Sequence, residues 1–375
     1  MASTQLTRTA TSGTNTKATF SAWVKKADAN EQFLFYHFGS SANNFRIRFD
    51  PDTIGVQTLS SSSSVMHLNT SAKFRDSSAW YHIVVAIDST QATDTNRAKI
   101  YVNGVQQTSL SATTYPPQNQ NMHFNESATV YIGGQAGSNY FNGSMTHVHW
   151  IDGTAYTPTS FGEVDATSGI WKAKSSPSVT YGTNGFFLKM ENSGAMGTDS
   201  SGNSNTFTVS GTLTQNVDTP DNNFATWNPL VAQGDTFTNG NTTVARSASS
   251  FRSAFSTIAL PSTGKFYCEF KRGSGNLVYL GIADDKEGGC VDLQNRGQES
   301  QVGANANSVS YLASDGRSTI NNTADTSYGA SFSSSNVIGM AIDMTNMKLY
   351  FSKDGVFQNS GVPTSGSTGT GALSI

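Results

Sequence analysis

Phe45-Arg46-Ile47-Arg48-Phe49 alternates apolar and cationic residues over five positions. In an extended chain successive side chains point to opposite faces. Phe45, Ile47 and Phe49 therefore fall on a buried face and both arginines in water, the signature of an antiparallel strand covered on one side. Runs of the same period, closed off by Gly, Asn, Ser or Asp, recur at 20–24, 32–38, 80–88, 98–102, 128–133, 143–151, 185–191 and 205–209. Helical periodicity is almost absent. Asn103-Gly104 and Asp354-Gly355 each sit between two such runs and supply the positive φ angles of a type I′ hairpin turn. The expected fold class is all-β.

Length and composition bound the rest. A chain of 375 residues is long enough for two domains with substantial cores. Charged residues make up 13%, against a usual ~25%, and prolines number only 9, which excludes charged or proline-rich disorder. The formal charge of −3 gives no general reason to bind nucleic acid or an anionic bilayer. Residues 1–17 carry no apolar run of a secretion leader, and no stretch reaches eighteen apolar residues, so neither export nor membrane insertion is expected. Cys268 and Cys290 are too few for a disulfide framework or a zinc site. No heptad run is present, which excludes a coiled-coil shaft.

Between Thr214 and Asn241 the alternation lapses into turn-forming residues. This predicts a first domain over 1–215, a linker over 216–241 and a second domain over 242–375, also β, with strands at 256–260, 264–271, 277–283, 309–313, 337–343 and 347–352. The serine tract 60–64 and the Ser/Thr/Gly-rich 364–371 are read as exposed loop or tail.

Ser78-Ala-Trp80-Tyr-His82-Ile-Val-Val-Ala-Ile-Asp88, followed by Lys99-Ile-Tyr101-Val-Asn103-Gly104, resembles the hairpin of laminin G-like domains with the concanavalin A-like jelly roll. Gly143-Ser-Met145-Thr-His147-Val148-His149-Trp150, with Thr157-Pro158 and Phe161-Gly162-Glu163 after it, looks like the closing segment of such domains in tailed-bacteriophage virion proteins. So does Tyr181-Gly182-Thr-Asn184-Gly185 with Asp199-Ser-Ser-Gly202-Asn203, associated with marine phages. Further on, Gly264-Lys265-Phe266, Val278-Tyr-Leu280-Gly281 and Lys348-Leu-Tyr350-Phe351-Ser-Lys-Asp354-Gly355 are similar to SPRY-like sandwiches, although those usually continue with further strands where this chain stops. The resemblance implies two antiparallel β-sandwich (jelly-roll) domains in tandem, concanavalin A-like then SPRY-like. It also implies a virion location, with other virion proteins, host-surface glycans and further copies of the chain as partners.

Glucanases of this fold carry Glu-x-Asp-x-(x)-Glu, because a retaining mechanism needs two carboxyl groups ~5–5.5 Å apart. Glu163-Val164-Asp165 lacks the second glutamate, so no catalytic residue and no enzyme activity is expected. His147 and His149 could share a metal only in an unbroken strand. A bulge between Met145 and Val148 is needed to bring Met145, Val148 and Trp150 to one core, and both histidines are then read as facing outward. His82 is read as a packing residue bonded to its neighbouring strand. No cofactor is expected. Laminin G-like relatives often hold calcium at a rim, which makes Asp199-Ser-Ser-Gly202-Asn203 and Asp50-Pro51-Asp52 the candidate loops, but both are also ordinary turn chemistry, as is the lysine-containing run 284–289. Sugar recognition needs an aromatic plate ringed by amides. Tyr140, Phe141 and Asn142 form one such cluster, and Tyr115 with Gln118 beyond Pro116-Pro117 another; each could equally be an edge loop covering the sandwich.

Overall fold

A computed structural model describes residues 3–231, 235–245, 253–275, 277–284, 302–303 and 306–375. The chain divides into two compact units, Met1–Pro229 with Phe237–Thr243, and Leu230–Thr236 with Val244–Ile375. Among the described residues no helix is long and apolar enough to cross a membrane. The acidic run from Asp285 to Gly289, together with Cys290, lies outside the described residues.

The first unit begins with β1 (Gln5–Thr9), β2 (Lys17–Lys26), β3 (Gln32–Phe38), β4 (Asn44–Asp50), β5 (Thr53–Ser60), β6 (Ser63–Thr70), β7 (Tyr81–Asp88) and β8 (Ala98–Val102). It continues with β9 (Val105–Gln106), β10 (Leu110–Thr114), β11 (Thr129–Ile132), β12 (Gly143–Asp152), β13 (Gly162–Val164), β14 (Trp171–Ala173), β15 (Phe186–Leu188) and β16 (Thr208–Ser210). Two antiparallel sheets face each other, ordered β10-β6-β5-β4-β3-β11-β1-β16 and β15-β12-β2-β7-β8-β9. Alternation sends Phe45, Ile47, Phe49, Val56, Phe35, Val85 and Trp150 into one core between them.

Asn103 and Gly104 adopt φ of 49° and 81°, as the expected hairpin requires. The serine tract differs from its expectation. Ser61 and Ser62 take φ of 49° and 66° and turn β5 directly into β6, while Ser60 and Ser63 belong to the strands themselves. The bulge expected in β12 is present: its register on β2 shifts between Thr146 and His149, and His147 has φ 49°.

A further layer covers the outer face of the six-stranded sheet. Residues 153–185 cross it, burying Val84, Ile151 and Phe161 with Tyr156 and Tyr181 packed alongside. Within this layer the hairpin β13-β14 carries Trp171. A Cβ on Gly162 would come within 2.5 Å of the Trp171 ring, and one on Gly104 within 3.0 Å, so two glycines form the slot the indole occupies.

Residues 216–229, expected as linker, are part of the first unit. The ammonium of Lys25, only 5% exposed, donates to Asp218 Oδ2 (2.6 Å), Asn223 Oδ1 (2.8 Å) and Phe224 O (2.7 Å). Trp80 Nε1 donates to Asp218 Oδ1 at 2.8 Å. A polar, turn-rich sequence is ordered here because it satisfies a buried cation. A short hairpin, β17 (Thr236–Thr238) and β18 (Thr243–Ala245), follows; at its turn Asn241 Nδ2 donates to Ala27 O at 2.7 Å.

The second unit contains β19 (Lys265–Lys271), β20 (Tyr279–Ala283), β21 (Ser308–Leu312), β22 (Arg317–Ile320), β23 (Thr326–Ser327), β24 (Val337–Asp343), β25 (Lys348–Lys353), β26 (Val356–Phe357) and β27 (Leu373–Ser374). One sheet is ordered β19-β24-β25-β26, with β27 paired to β25, and the other β20-β21-β22-β23. Their core includes Tyr311, Ile338, Leu349 and Phe351. No strand forms over 256–260, where Ile258 and Leu260 are exposed. Cys268 is half-buried and free, its thiol pushed up to about 11 by burial.

Candidate functional site

The strand that opens the sequence reading also builds the site. Because Phe45, Ile47 and Phe49 enter the core, Arg46 and Arg48 stand on the outer face of the eight-stranded sheet. Register sets their neighbours. Arg46 lies opposite Tyr36 on β3 and Gln57 on β5; Gln57 lies opposite His67 on β6, and Tyr36 opposite Tyr131 on β11. One row, His67-Gln57-Arg46-Tyr36-Tyr131, thus crosses five strands. In the next row Arg48 faces Gly55, and Gly55 faces Asn69.

The arginines are not in water, contrary to the expectation from alternation alone. Arg48 is 8% exposed. Burying a guanidinium costs several kcal/mol unless partners replace its hydration. Here Glu31 Oε1 lies 3.0 Å from Nε, Asp50 Oδ2 accepts from Nη2 at 3.0 Å, Gln57 Oε1 accepts from Nη1 at 3.3 Å, and the Phe33 ring centroid is 5.9 Å away. Arg46 Nε also donates to Gln57 Oε1, at 3.0 Å. Arg46 has no ion pair among the described residues, and burial first, then the charge of Arg48, lowers its pKa. Burial and the two arginines likewise lower the pKa of His67. Two polar atoms out of contact with solvent, His67 Nε2 and Asn69 Oδ1, have no hydrogen-bond partner. Buried polar atoms are paired in the great majority of cases, so orphans gathered on one face call for an explanation.

Gly55 sits between Asn69 and Asp50. A Cβ there would meet nothing closer than 3.7 Å, and no positive φ demands glycine. Its missing side chain leaves a dent in the floor of the face. Tyr36, only 3% exposed, packs at a tilt between Tyr131, ring centroids 6.1 Å apart, and Phe38 at 5.6 Å, so the accessible part of the aromatic flank is the half-buried Tyr131 and Phe38. A surface of this kind suits a ligand that offers hydroxyls to an amide, an imidazole and a guanidinium while an apolar face rests on tyrosine.

The residues singled out from sequence lie elsewhere, at opposite ends of β2. Gln118 Nε2 donates to Thr90 O at 3.3 Å, just beyond β7, and Tyr115 is half-buried against the core. At the other end Ala27 N donates to Asn142 O at 2.8 Å. There Phe141 is half-buried, stacked on Phe49 at 6.5 Å, and Asn142 Nδ2 donates to Asp28 Oδ2 at 2.9 Å. Tyr140 is half-buried beside Gly134. The ten residues of β2, roughly 33 Å at ~3.3 Å each, separate the two clusters. They form no common site.

His82 and the outward placement of His149 agree with expectation, but neither histidine of β12 stands in solvent. His147 is half-buried, and His149, on the outer sheet face, is 1% exposed because Phe161 of the covering layer and Phe187 of the neighbouring strand β15 pack on it, the latter at 4.0 Å between centroids. Burial holds the pKa of His149 well below its ordinary value. His82 is fully buried and bonded to the neighbouring strand: Trp171 Nε1 donates to its Nδ1 (2.9 Å), which leaves Nε2 to donate to Ser21 Oγ (2.9 Å). Among the described residues no group of three His, Cys, Asp or Glu could hold a metal.

The two loops considered for calcium do not fit the ion. Asp199 accepts from Phe187 N, Ser201 N, Ser201 Oγ and Asn205 N, all between 2.7 and 2.8 Å, so its lone pairs serve the turn. Asp50 faces Arg48, while Asp52 faces Arg75 and Lys26. Glu163 and Asp165 share Lys172, at 3.8 and 3.0 Å, on an exposed hairpin. Hydrogen bonds from Ser168 and Lys172 hold the Asp165 carboxyl far below the usual range. A general acid needs the opposite shift.

Residues 2–160 match the model of a family described as the concanavalin A-like lectin/glucanases superfamily. Solved structures similar to the chain include a native heptameric SAP-like pentraxin from Limulus polyphemus, with 15% identity over 46% of this chain and 86% of that one, at a TM-score of 0.33. Domains LG4-5 of the mouse laminin alpha1 chain share 10% identity over 94% of this chain and 74% of that one, at 0.35. Full-length tailspike protein 2 of Escherichia coli O157:H7 bacteriophage CAB120 shares 12% over 42% of this chain and 22% of that one, at 0.30. A search among curated proteins gives no match. The first unit carries a concanavalin A-like, laminin G-like domain.

Proposed function

We propose that the first unit binds a glycan on the outer face of its eight-stranded sheet, and that the chain is a non-enzymatic attachment protein of a tailed-phage virion. The row His67-Gln57-Arg46-Tyr36-Tyr131 carries the glycan reading, since it sets hydrogen-bonding groups of three kinds beside aromatic rings on a lectin-like sandwich. The virion reading rests on the resemblance of segments 143–163 and 181–205 to phage virion domains, and on that of the second unit to SPRY-like sandwiches that bind through loops. The absence of catalysis is inferred from a Glu-x-Asp pair committed to one lysine. Other virion proteins and further copies of the chain are the partners this role requires.

A glycan array probed with the full chain tests the binding. The expected result is a restricted set of bound glycans, with signal reduced at least about tenfold by Arg46→Gln combined with Tyr131→Ala while the circular dichroism spectrum is unchanged. Absence of any bound glycan, or equal binding by the variant, refutes the site. Particle proteomics tests the role separately: the protein is expected at fixed copy number in purified virions.

A further inference from the structure

We infer that a depression of about 490 Å³ in the second unit, between Arg272 and Lys353, binds the oxyanion group of a small acidic ligand. It is independent of the glycan face in the first unit and shares no residue with it. Its remaining polar lining comes from Ser314, Ser331, Ser333 and Asn336. Volumes of a few hundred Å³ are typical of small-molecule sites.

Charge placement carries the inference. The chain as a whole is acidic, with 26 Asp and Glu against 23 Lys and Arg, yet neither cation here has an ion pair among the described residues. Each is held instead by a neutral backbone acceptor: Arg272 Nη1 donates to Phe332 O and Lys353 Nζ to Ser331 O, both at 2.7 Å. These bonds fix the heads without neutralising them. Of the two nearby carboxylates, Asp315 is paired with another cation, while Asp354 is bonded to Asn336 of the lining and also feels the charge of Lys353. Asp315 pairs with Arg317 at 3.3 Å, and Asp354 accepts from Asn336 Nδ2 at 2.6 Å and Val337 N at 2.9 Å.

With Nη1 tied to the backbone, the Nε and Nη2 edge of Arg272 remains, and Nε is a buried donor without a partner. That edge is the one that grips a carboxylate, sulfate or phosphate through two parallel hydrogen bonds. Lys353 retains two donors for a further oxygen. The serines suit hydroxyls on the body of the ligand. A sugar carboxylate, a sulfate ester and a phosphate ester share this chemistry.

Calorimetric titration of the full chain at constant ionic strength tests the site, with glucuronate, glucose 6-sulfate and glucose 6-phosphate as probes and glucose as the neutral control. Saturable binding of at least one anionic probe is expected, with none of glucose, and the probe that binds names the source of the oxyanion. Arg272→Gln with Lys353→Gln should weaken that binding at least tenfold. Lys353→Gln alone, at an exposed hairpin end, should weaken it several-fold and guards against a folding defect in the double variant. Arg272→Lys, which keeps the charge but loses the fork, should fall between wild type and Arg272→Gln. No saturable binding of any anionic probe, equal binding of glucose, or unchanged affinity in the double variant overturns the inference.

Discussion

At the scale of single residues, the buried histidines set how the protein responds to acid. His37, 1% exposed on the inner side of β3, has its pKa pushed down to about 4, and His82 to about 3, both chiefly by burial. The unfolded chain takes up a proton near pH 6.5 that the folded chain refuses, so stability is full above that pH and falls as pH drops through 6.5 towards 4 and 3. By pH 5 each of the two should have cost the fold about 2 kcal/mol. His147 and His149 shift in the same direction. Urea midpoints measured at pH 7.5, 6 and 5 should therefore fall steadily, and His37→Leu should flatten the slope. A midpoint constant over that range would show that these rings are wetter than their packing indicates. The tautomer of His82 belongs to the same scale, since it follows from Trp171 having only an N–H to give.

At the scale of elements, the two glycines around Trp171 and the one in the candidate face make opposite predictions. Gly162→Ala places a methyl 2.5 Å from the indole and should expel it, at a cost of about 1–3 kcal/mol, visible as a change in tryptophan fluorescence. Gly55→Ala places a methyl in ordinary contact, 3.7 Å from Asn69 Oδ1 and Asp50, and removes a flexible residue from a strand, so it should raise stability by roughly 0.5 kcal/mol while blunting glycan binding. A gain in binding from Gly55→Ala would place the ligand away from the dent. Element boundaries were legible wherever alternation ran uninterrupted, as in β4. They were not legible in β5 and β6, because a run of five serines hid a turn usually built from Asn-Gly. The alternation of His67 and Asn69 with Met66 and Leu68 was the one local sign of a second polar face. That Arg46, Gln57, His67, Tyr36 and Tyr131 form a row depends on pairing between residues up to 95 positions apart, which no local pattern encodes. Alternation likewise distinguishes an inner from an outer face but says nothing of what later covers the outer one, which is why His149 could be placed on its face without its cover being foreseen.

At the scale of the whole chain, the place where the first unit ends is the most testable consequence. Loss of apolar periodicity suggested residue 215, yet periodicity reports only segments that bury one face, and 216–229 is ordered by polar bonds to Lys25 and Trp80. The residues of the candidate face and the core beneath them all lie before 208. A fragment of residues 1–243 keeps Asp218, Asn223, Phe224 and the Asn241 bond to Ala27, and should fold cooperatively and bind the same glycans as the full chain. A fragment of residues 1–215 keeps the core but strips a charged partner and two further acceptors from Lys25, and the acceptor from Trp80. Charge-assisted hydrogen bonds of this kind contribute roughly 1.5–3 kcal/mol. The shorter fragment should therefore melt about 4–8 °C below the longer one. Lys25→Met in the longer fragment should remove much of that difference, because the polar segment would then have no cation to satisfy. Equal melting temperatures for the two fragments would return residues 216–229 to the status of a linker, whereas failure of the longer fragment to bind the glycans of the full chain would move the recognition surface out of the first unit.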